Sequence, residues 1–229
     1  KENNLNSTPE LTLKAIRMIN EIGSERGENG MPRLLPGLNF IYGLDGETAD
    51  TYDMNLDFLK KLLDENLLVR RINIRQVLPV RREFSVRVNP NRFKQNKEQI
   101  RDEIDHEMLR RMVPKGTVLT EVFTEIRDGN TTFGRQIGSY PLLIGIPYPL
   151  ELGRFYDIVV TDWGKRSITG IECRFDINKA TMTQISGLPG IGKKRAAKII
   201  LAKPLDPEKL RKAIDDDSVF DALSPYIVY

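Results

Sequence analysis

Residues 187–199 read Gly-Leu-Pro-Gly-Ile-Gly-Lys-Lys-Arg-Ala-Ala-Lys-Ile, and the rest of the chain is best read outward from them. A Gly-x-Gly turn opens straight into a helix, with Leu188 and Ile191 as apolar pins. Gly190 and Gly192 lack a Cβ, so their backbone can take φ > 0 and lie close to a ligand. The helix is expected to begin at Lys193 and to stop near Ala202, ahead of Pro204. Its first amide N–H groups have no partner inside the helix and join the positive end of the helix dipole as an anion site. Gly187, Gly190, Ile191, Gly192, Lys193, Lys194, Arg195 and Lys198 are the candidate contacts for a nucleic-acid phosphate. The competing reading is an αα-hairpin whose glycines serve packing alone.

With an upstream helix over 178–185, this segment resembles the helix-hairpin-helix motif. The resemblance implies DNA or RNA binding without sequence preference, or a scaffold.

Composition narrows the class. The chain has 229 residues, enough for roughly one to three domains and a sizeable core. Hydrophobic content of 40% and charged content of 29% fit a soluble globular protein. No apolar run approaches a membrane span and none reads as a signal peptide, so a cytoplasmic protein with no membrane partner is expected. Cys173 stands alone, which excludes an internal disulfide. One cysteine and one histidine, His106, cannot make a zinc site or hold an iron–sulfur cluster, so no metal is expected. His106 reads as a surface residue and Cys173 as an ordinary strand residue.

The net charge is +3, but nine basic residues and one acid, Glu83, lie between Arg70 and Lys97. This block reads either as a polyanion-binding strip or as a solvated face balanced by the acid-rich stretch 98–107. The chain opens on Lys1 and is expected to be a piece of something longer.

Thr8-Pro9-Glu10 marks a helix start, with Leu11, Ala15, Ile16, Ile19 and Ile22 as its apolar face and Gly23 as its stop. A strand over 38–42, an amphipathic helix over 47–63 and a strand over 69–78 suggest a right-handed βαβ unit with parallel strands. A further helix is expected over 95–112. From 116 to 174 the texture changes to short β-rich segments broken by turns. Val118, Thr120, Val122 and Ile126 alternate with Glu121 and Glu125, and Asp128-Gly129-Asn130 is a hairpin turn. This favours a small closed β-barrel. The tail over 207–229 adds a helix and an apolar end. The fold class is α+β and multidomain.

Residues 35–48, Leu-Pro-Gly-Leu-Asn-Phe-Ile-Tyr-Gly-Leu-Asp-Gly-Glu-Thr, resemble a strand and turn of radical S-adenosylmethionine enzymes, and 70–77 resembles the following barrel strand. Asp45 stands where that turn often has a proline. Residues 116–119, 133–135, 152–160 and 169–170 resemble the TRAM domain, a small OB-like nucleic-acid-binding barrel. In order, the chain resembles the C-terminal half of an archaeal-type radical SAM Fe–S oxidoreductase. The resemblance implies a partial (β/α) radical SAM barrel remnant over 1–80, a basic linker and helix over 81–114, a TRAM/OB-like barrel over 115–176 and a helix-hairpin-helix domain over 177–229.

It also implies that the parent uses S-adenosylmethionine and a [4Fe–4S] cluster. Gly43, Gly46 and Glu47 would shape the turn near the adenine, and Asn39, Asn73, Arg75 and Gln76 would be polar contacts at the active end of the barrel. Glu47 reads equally well as a first-turn carboxylate favoured by the helix dipole. If Ile72 and Ile74 face the helices, Asn73 and Arg75 face the lumen. Phe133 and Arg135, with Tyr140 nearby, are candidate nucleic-acid contacts on the barrel, and Trp163 either stacks on a base or packs in its turn. The family's Cys-x3-Cys-x2-Cys loop is absent, so this chain should hold no cofactor, carry no catalytic residue and be inactive alone.

Two functions follow. One is the C-terminal fragment of a radical SAM enzyme that holds its nucleic-acid substrate, with transfer RNA or DNA as partner. The other is a non-enzymatic, sequence-independent DNA- or RNA-binding module. An open parallel sheet edge is a liability unless covered, so a homodimer through the barrel remnant is a further expectation.

Overall fold

The computed structural model describes residues 7–78, 88–138 and 140–229. Arg81, Arg82, Glu83 and Arg87 of the basic block lie outside the described residues. The chain divides into two compact units, Lys1–Gly27 with Met31–Met112, and Glu28–Gly30 with Val113–Tyr229.

The first unit opens with α1, Pro9–Gly23, whose N-cap is Thr8 as expected; its hydroxyl accepts from the Leu11 N–H at 3.3 Å. The core-facing stripe differs from the one expected. Leu13, Ile16, Asn20 and Gly23 are buried, whereas Leu11 and Ile22 are 58% and 70% exposed. The buried stripe passes through a polar residue because the Asn20 amide serves the Leu68 backbone, accepting from its N–H at 2.8 Å and donating to its carbonyl at 3.0 Å.

Strand β1, Gly37–Tyr42, is followed by helix α2, Thr51–Asp64, and strand β2, Arg71–Gln76. The two strands pair in parallel, from Gly37 with Arg71 to Tyr42 with Gln76, as the strand–helix–strand spacing requires. Helix α2 starts at Thr51 rather than at 47. Gly46, at φ +80°, keeps the preceding residues in a turn. Helix α3, Pro90–Ile100, by contrast starts earlier than expected, because Asn89 accepts from the N–H groups of Asn91 and Arg92 and Pro90 occupies the first turn. It runs through a π-turn, Arg101–Asp105, into α4, His106–Met112. Ile100, Ile104 and Met108 join Leu13, Ile16, Leu38, Leu59 and Ile72 in one core.

The second unit is built on a closed five-stranded barrel: β3 Val118–Asp128, β4 Thr131–Gln136, β5 Leu143–Ile146, β6 Phe155–Trp163 and β7 Ser167–Glu172. The order around it is β3-β4-β5-β7-β6, with β5 and β7 parallel and the other pairs antiparallel. The barrel expected from the turn-broken β texture is present, and Asp128-Gly129-Asn130 makes its first hairpin. The alternation along β3 is corrected. Leu119, Val122 and Thr124 are buried, while Ile126 is 60% exposed. Register shifts between Leu119 and Val122 and between Thr124 and Ile126 reset which side chains face inward, and Glu121 takes φ +53° at the first. The buried threonines are satisfied: Thr132 Oγ1 donates to the Tyr148 carbonyl and accepts from the Leu150 N–H, both at 2.9 Å.

After the barrel come β8 Phe175–Asp176, then helices α5 Met182–Ser186, α6 Lys193–Leu201, α7 Pro207–Ile214 and α8 Asp217–Leu223, and β9 Ile227–Val228, which pairs in parallel with β8. The tail therefore holds two helices rather than one. Among the described residues no helix is long and apolar enough to cross a membrane.

Candidate nucleic-acid interface

Helix α5 begins at Met182, not at 178. Thr181 and Gln184 form a capping box: the Thr181 N–H bonds to Gln184 Oε1 at 2.9 Å, and the Gln184 N–H to Thr181 Oγ1 at 3.3 Å. Asn178 is drawn off to the Leu205 backbone, donating to its carbonyl at 3.0 Å and accepting from its N–H at 2.7 Å.

The turn over 187–192 joins α5 to α6, and its glycines do different things. A Cβ on Gly187 would overlap the Pro147 carbonyl oxygen at the exit of β5. Gly190 sits at φ +74°, with Val219 Cγ2 of α8 where a side chain would begin. Packing thus demands both. Gly192 departs from the expected left-handed conformation: it has φ −89° and open space around it. It is the N-cap of α6, and among the described residues that helix start has no side-chain cap. Leu188 and Ile191 are each 3% exposed and pin the turn as expected.

The cations divide in the same way. Arg195 faces its own chain, with Nη1 on the Gly190 carbonyl and Nη2 on Asp216 Oδ2, both at 2.8 Å. Asp216 caps α8, and its carboxyl is held below the usual range first by the Ser218 hydroxyl, then by the Val219 N–H and Arg195. Lys198 lies 3.5 Å from Asp215 Oδ2. Lys193 and Lys194 are exposed and join no ion pair among the described residues. An uncapped helix start flanked by two solvated lysines can hold a phosphate through backbone N–H groups and charge together.

On the barrel, the Phe133 ring lies over Gly145, where a Cβ would meet its Cε1 at 3.4 Å. Arg135 Nη1 pairs with Glu125 Oε2 at 2.5 Å. Sequence reading missed Phe155, which is 55% exposed and tilts against Phe123 with ring centroids 5.2 Å apart. Its position at the outer start of β6 was the available signal. Trp163 takes the packing role: its indole N–H donates to the Val113 carbonyl at 2.8 Å, and the Lys115 ammonium lies 5.2 Å from its ring centre.

In the first unit, Asn39, Gly46 and Glu47 line a cleft of about 810 Å³ beside β1, with Leu38, Phe40 and Phe58 among its apolar walls. Glu47 Oε2 accepts from the Gly43 N–H at 2.6 Å, and Gly43 and Gly46 take φ +88° and +80°. The carboxylate closes the turn on itself. Asn73 Nδ2 donates to Asn39 Oδ1 at 2.9 Å across the strand pair. Ile72 and Ile74 pack into the core, so Asn73 and Arg75 take the opposite face, as alternation requires. With two described strands that face is not enclosed, and Arg75 and Gln76 are exposed rather than set in a lumen. Sequence reading also missed Tyr42, fully buried, whose hydroxyl donates to Asn96 Oδ1 at 2.9 Å and whose pKa burial pushes up.

No family model matches the chain. A protein of Methanocaldococcus jannaschii, itself uncharacterized, is 47% identical over 191 residues, which cover 78% of this chain and 34% of that protein. An uncharacterized protein of Archaeoglobus fulgidus is 37% identical over 223 residues, which cover 93% of this chain and 41% of that protein. The chain therefore spans between 34% and 41% of the length of these two archaeal relatives.

Proposed function

We propose that this chain is the nucleic-acid-holding portion of a larger radical S-adenosylmethionine Fe–S oxidoreductase, with transfer RNA as the substrate class. The observation that carries the binding half is the uncapped start of α6, flanked by Lys193 and Lys194. An uncapped start leaves backbone donors for a phosphate, and the contact is blind to sequence. The turn and its two helices read as a helix-hairpin-helix. The barrel order, with β5 parallel to β7, supports an OB/TRAM-like reading. On such barrels β4 and β5 and the loops near 129 and 165 carry oligonucleotides. Phe133 stands on that face as a stacking surface.

The enzymatic half rests on the first unit. Parallel β1 and β2, joined through α2, and the turn held by Glu47 support the radical SAM remnant. The cleft falls within the roughly 300–1,000 Å³ of small-molecule sites. Its apolar walls and Asn39 suit the nucleoside end of S-adenosylmethionine. A [4Fe–4S] cluster does not fit this chain, because it needs several thiolates and Cys173 is the one cysteine. No redox step is assigned to these residues.

Binding of labelled RNA and DNA at about 50 and 200 mM salt tests the first half, since phosphate contacts make affinity fall steeply with salt. Undetectable binding at low salt, or binding indifferent to salt, would overturn it. A longer parent sequence without a three-cysteine loop would end the enzymatic half.

A further inference from the structure

We infer that Arg195 is a positioning residue, which with Asp216 sets the backbone of the turn, and is not a phosphate ligand. This rests on the reading of the hairpin as a phosphate site.

The turn has two braces from α8. Val219 methyls lie where a Gly190 side chain would begin, and the Arg195 guanidinium spans from the Gly190 carbonyl to Asp216 Oδ2, at 2.8 Å on each side. Asp216 is itself anchored, accepting from the Ser218 hydroxyl at 2.7 Å and from the Val219 N–H at 3.2 Å. A planar guanidinium with donors in a fixed fork can bridge two acceptors in this way, and an ammonium cannot reproduce it. Gly190 lies two residues before the cap of α6. Holding its carbonyl fixes the peptide planes that lead to the N–H groups of Gly192, Lys193 and Lys194. These two acceptors engage one donor on each terminal nitrogen of Arg195 and hold the fork toward its own chain.

The inference has an unusual sign. Asp216 is an anion close to a proposed anion site, so electrostatics alone says that neutralising it should tighten binding. If it holds the turn through Arg195, neutralising it weakens binding instead.

The test is fluorescence anisotropy of a labelled RNA duplex against the 229-residue chain over a salt series, with thermal melting of each variant. Asp216→Asn keeps a good helix cap, which protects folding. Asp216→Asn and Arg195→Gln should each weaken binding about tenfold, the worth of one charge-assisted hydrogen bond. The double variant should be no weaker than either, and the slope of log affinity on log salt should stay that of the unaltered chain. Arg195→Lys keeps the charge and loses the bridge, and should weaken binding as much as Arg195→Gln.

A slope lower by about one in Arg195→Gln would overturn the inference, because it counts a lost phosphate contact. Tighter binding by Asp216→Asn, full binding by Arg195→Lys, or unaltered binding by both single variants would overturn it too. Failure of the hairpin reading itself looks different. There the double substitution Lys193→Glu with Lys194→Glu leaves affinity unchanged, and the inference falls with it.

Discussion

Asn20 closes both main-chain hydrogen bonds of Leu68, accepting from its N–H at 2.8 Å and donating to its carbonyl at 3.0 Å. The residue is 8% exposed and lies in the core-facing stripe of α1, so the bonds tie that helix to the segment leading into β2. Asn20→Leu keeps the branching and the number of side-chain heavy atoms in an apolar, bulkier form, and it strands two backbone groups away from water. It should destabilise the first unit by about 2–3 kcal/mol, at the upper end for a buried group left unsatisfied. Urea unfolding of the variant checks this; an unchanged midpoint would show that the bonds carry no net stability.

The three glycines of the 187–192 turn should respond differently to a side chain. Gly187→Ala and Gly190→Ala each place a Cβ against existing atoms, and the second also asks alanine to adopt φ +74°. Both should destabilise the second unit by about 1–3 kcal/mol, read as a lower melting temperature. Gly192→Asp should not, because the position has φ −89° and open space, and aspartate caps helices well. The same change puts a carboxylate in the proposed phosphate site, so it should abolish most RNA binding while folding is kept. Intact binding by Gly192→Asp would remove the α6 start from the interface.

The two solvated lysines should act as counted charges. Lys193→Gln and Lys194→Gln should each reduce the slope of log affinity on log salt by roughly one unit, without changing sequence preference. Equal slopes in all three proteins would show that neither lysine meets a phosphate.

Glu172 supplies a pH test. Burial pushes its carboxyl above the usual range, against the Tyr148 hydroxyl, which holds it down. A carboxyl raised in the folded state favours folding most when protonated. Its contribution is therefore fully present below the ordinary glutamate value and is lost as pH rises through the raised one. Glu172→Gln, neutral at every pH, should unfold at higher denaturant than the unaltered chain near pH 7. That advantage should shrink as pH falls toward about 4. Denaturation at both pH values reads the difference; an advantage independent of pH would assign the effect to packing.

Local chemistry made much of the fold legible. Thr8-Pro9, Asp128-Gly129-Asn130 and the glycine-rich turn before Lys193 each specify a backbone conformation within a few residues, and each element stands where the sequence placed it. The misses share one cause. The apolar face of α1, Ile126 and Arg195 were assigned from side-chain character, whereas neighbours in space decide their roles. Asn20 is buried because Leu68 presents two backbone groups to it. Ile126 is exposed because two register shifts rotate β3. Arg195 turns inward because Asp216, twenty-one residues on, caps another helix beside it.

The sequence by itself determined the helices and strands of the strand–helix–strand unit, the turn-broken β segments and the start of α6, since periodicity, turns and caps are set within a few positions; the pairing of Gly37 with Arg71 and of Val118 with Val159 is long-range. Tertiary structure alone decided which of the four cations at the start of α6 are drawn into ion pairs. Lys193, Lys194, Arg195 and Lys198 look alike in the chain. Ion pairing depends on distance in space, and the acids that engage Arg195 and Lys198 lie on the far side of another helix, α7, in the sequence.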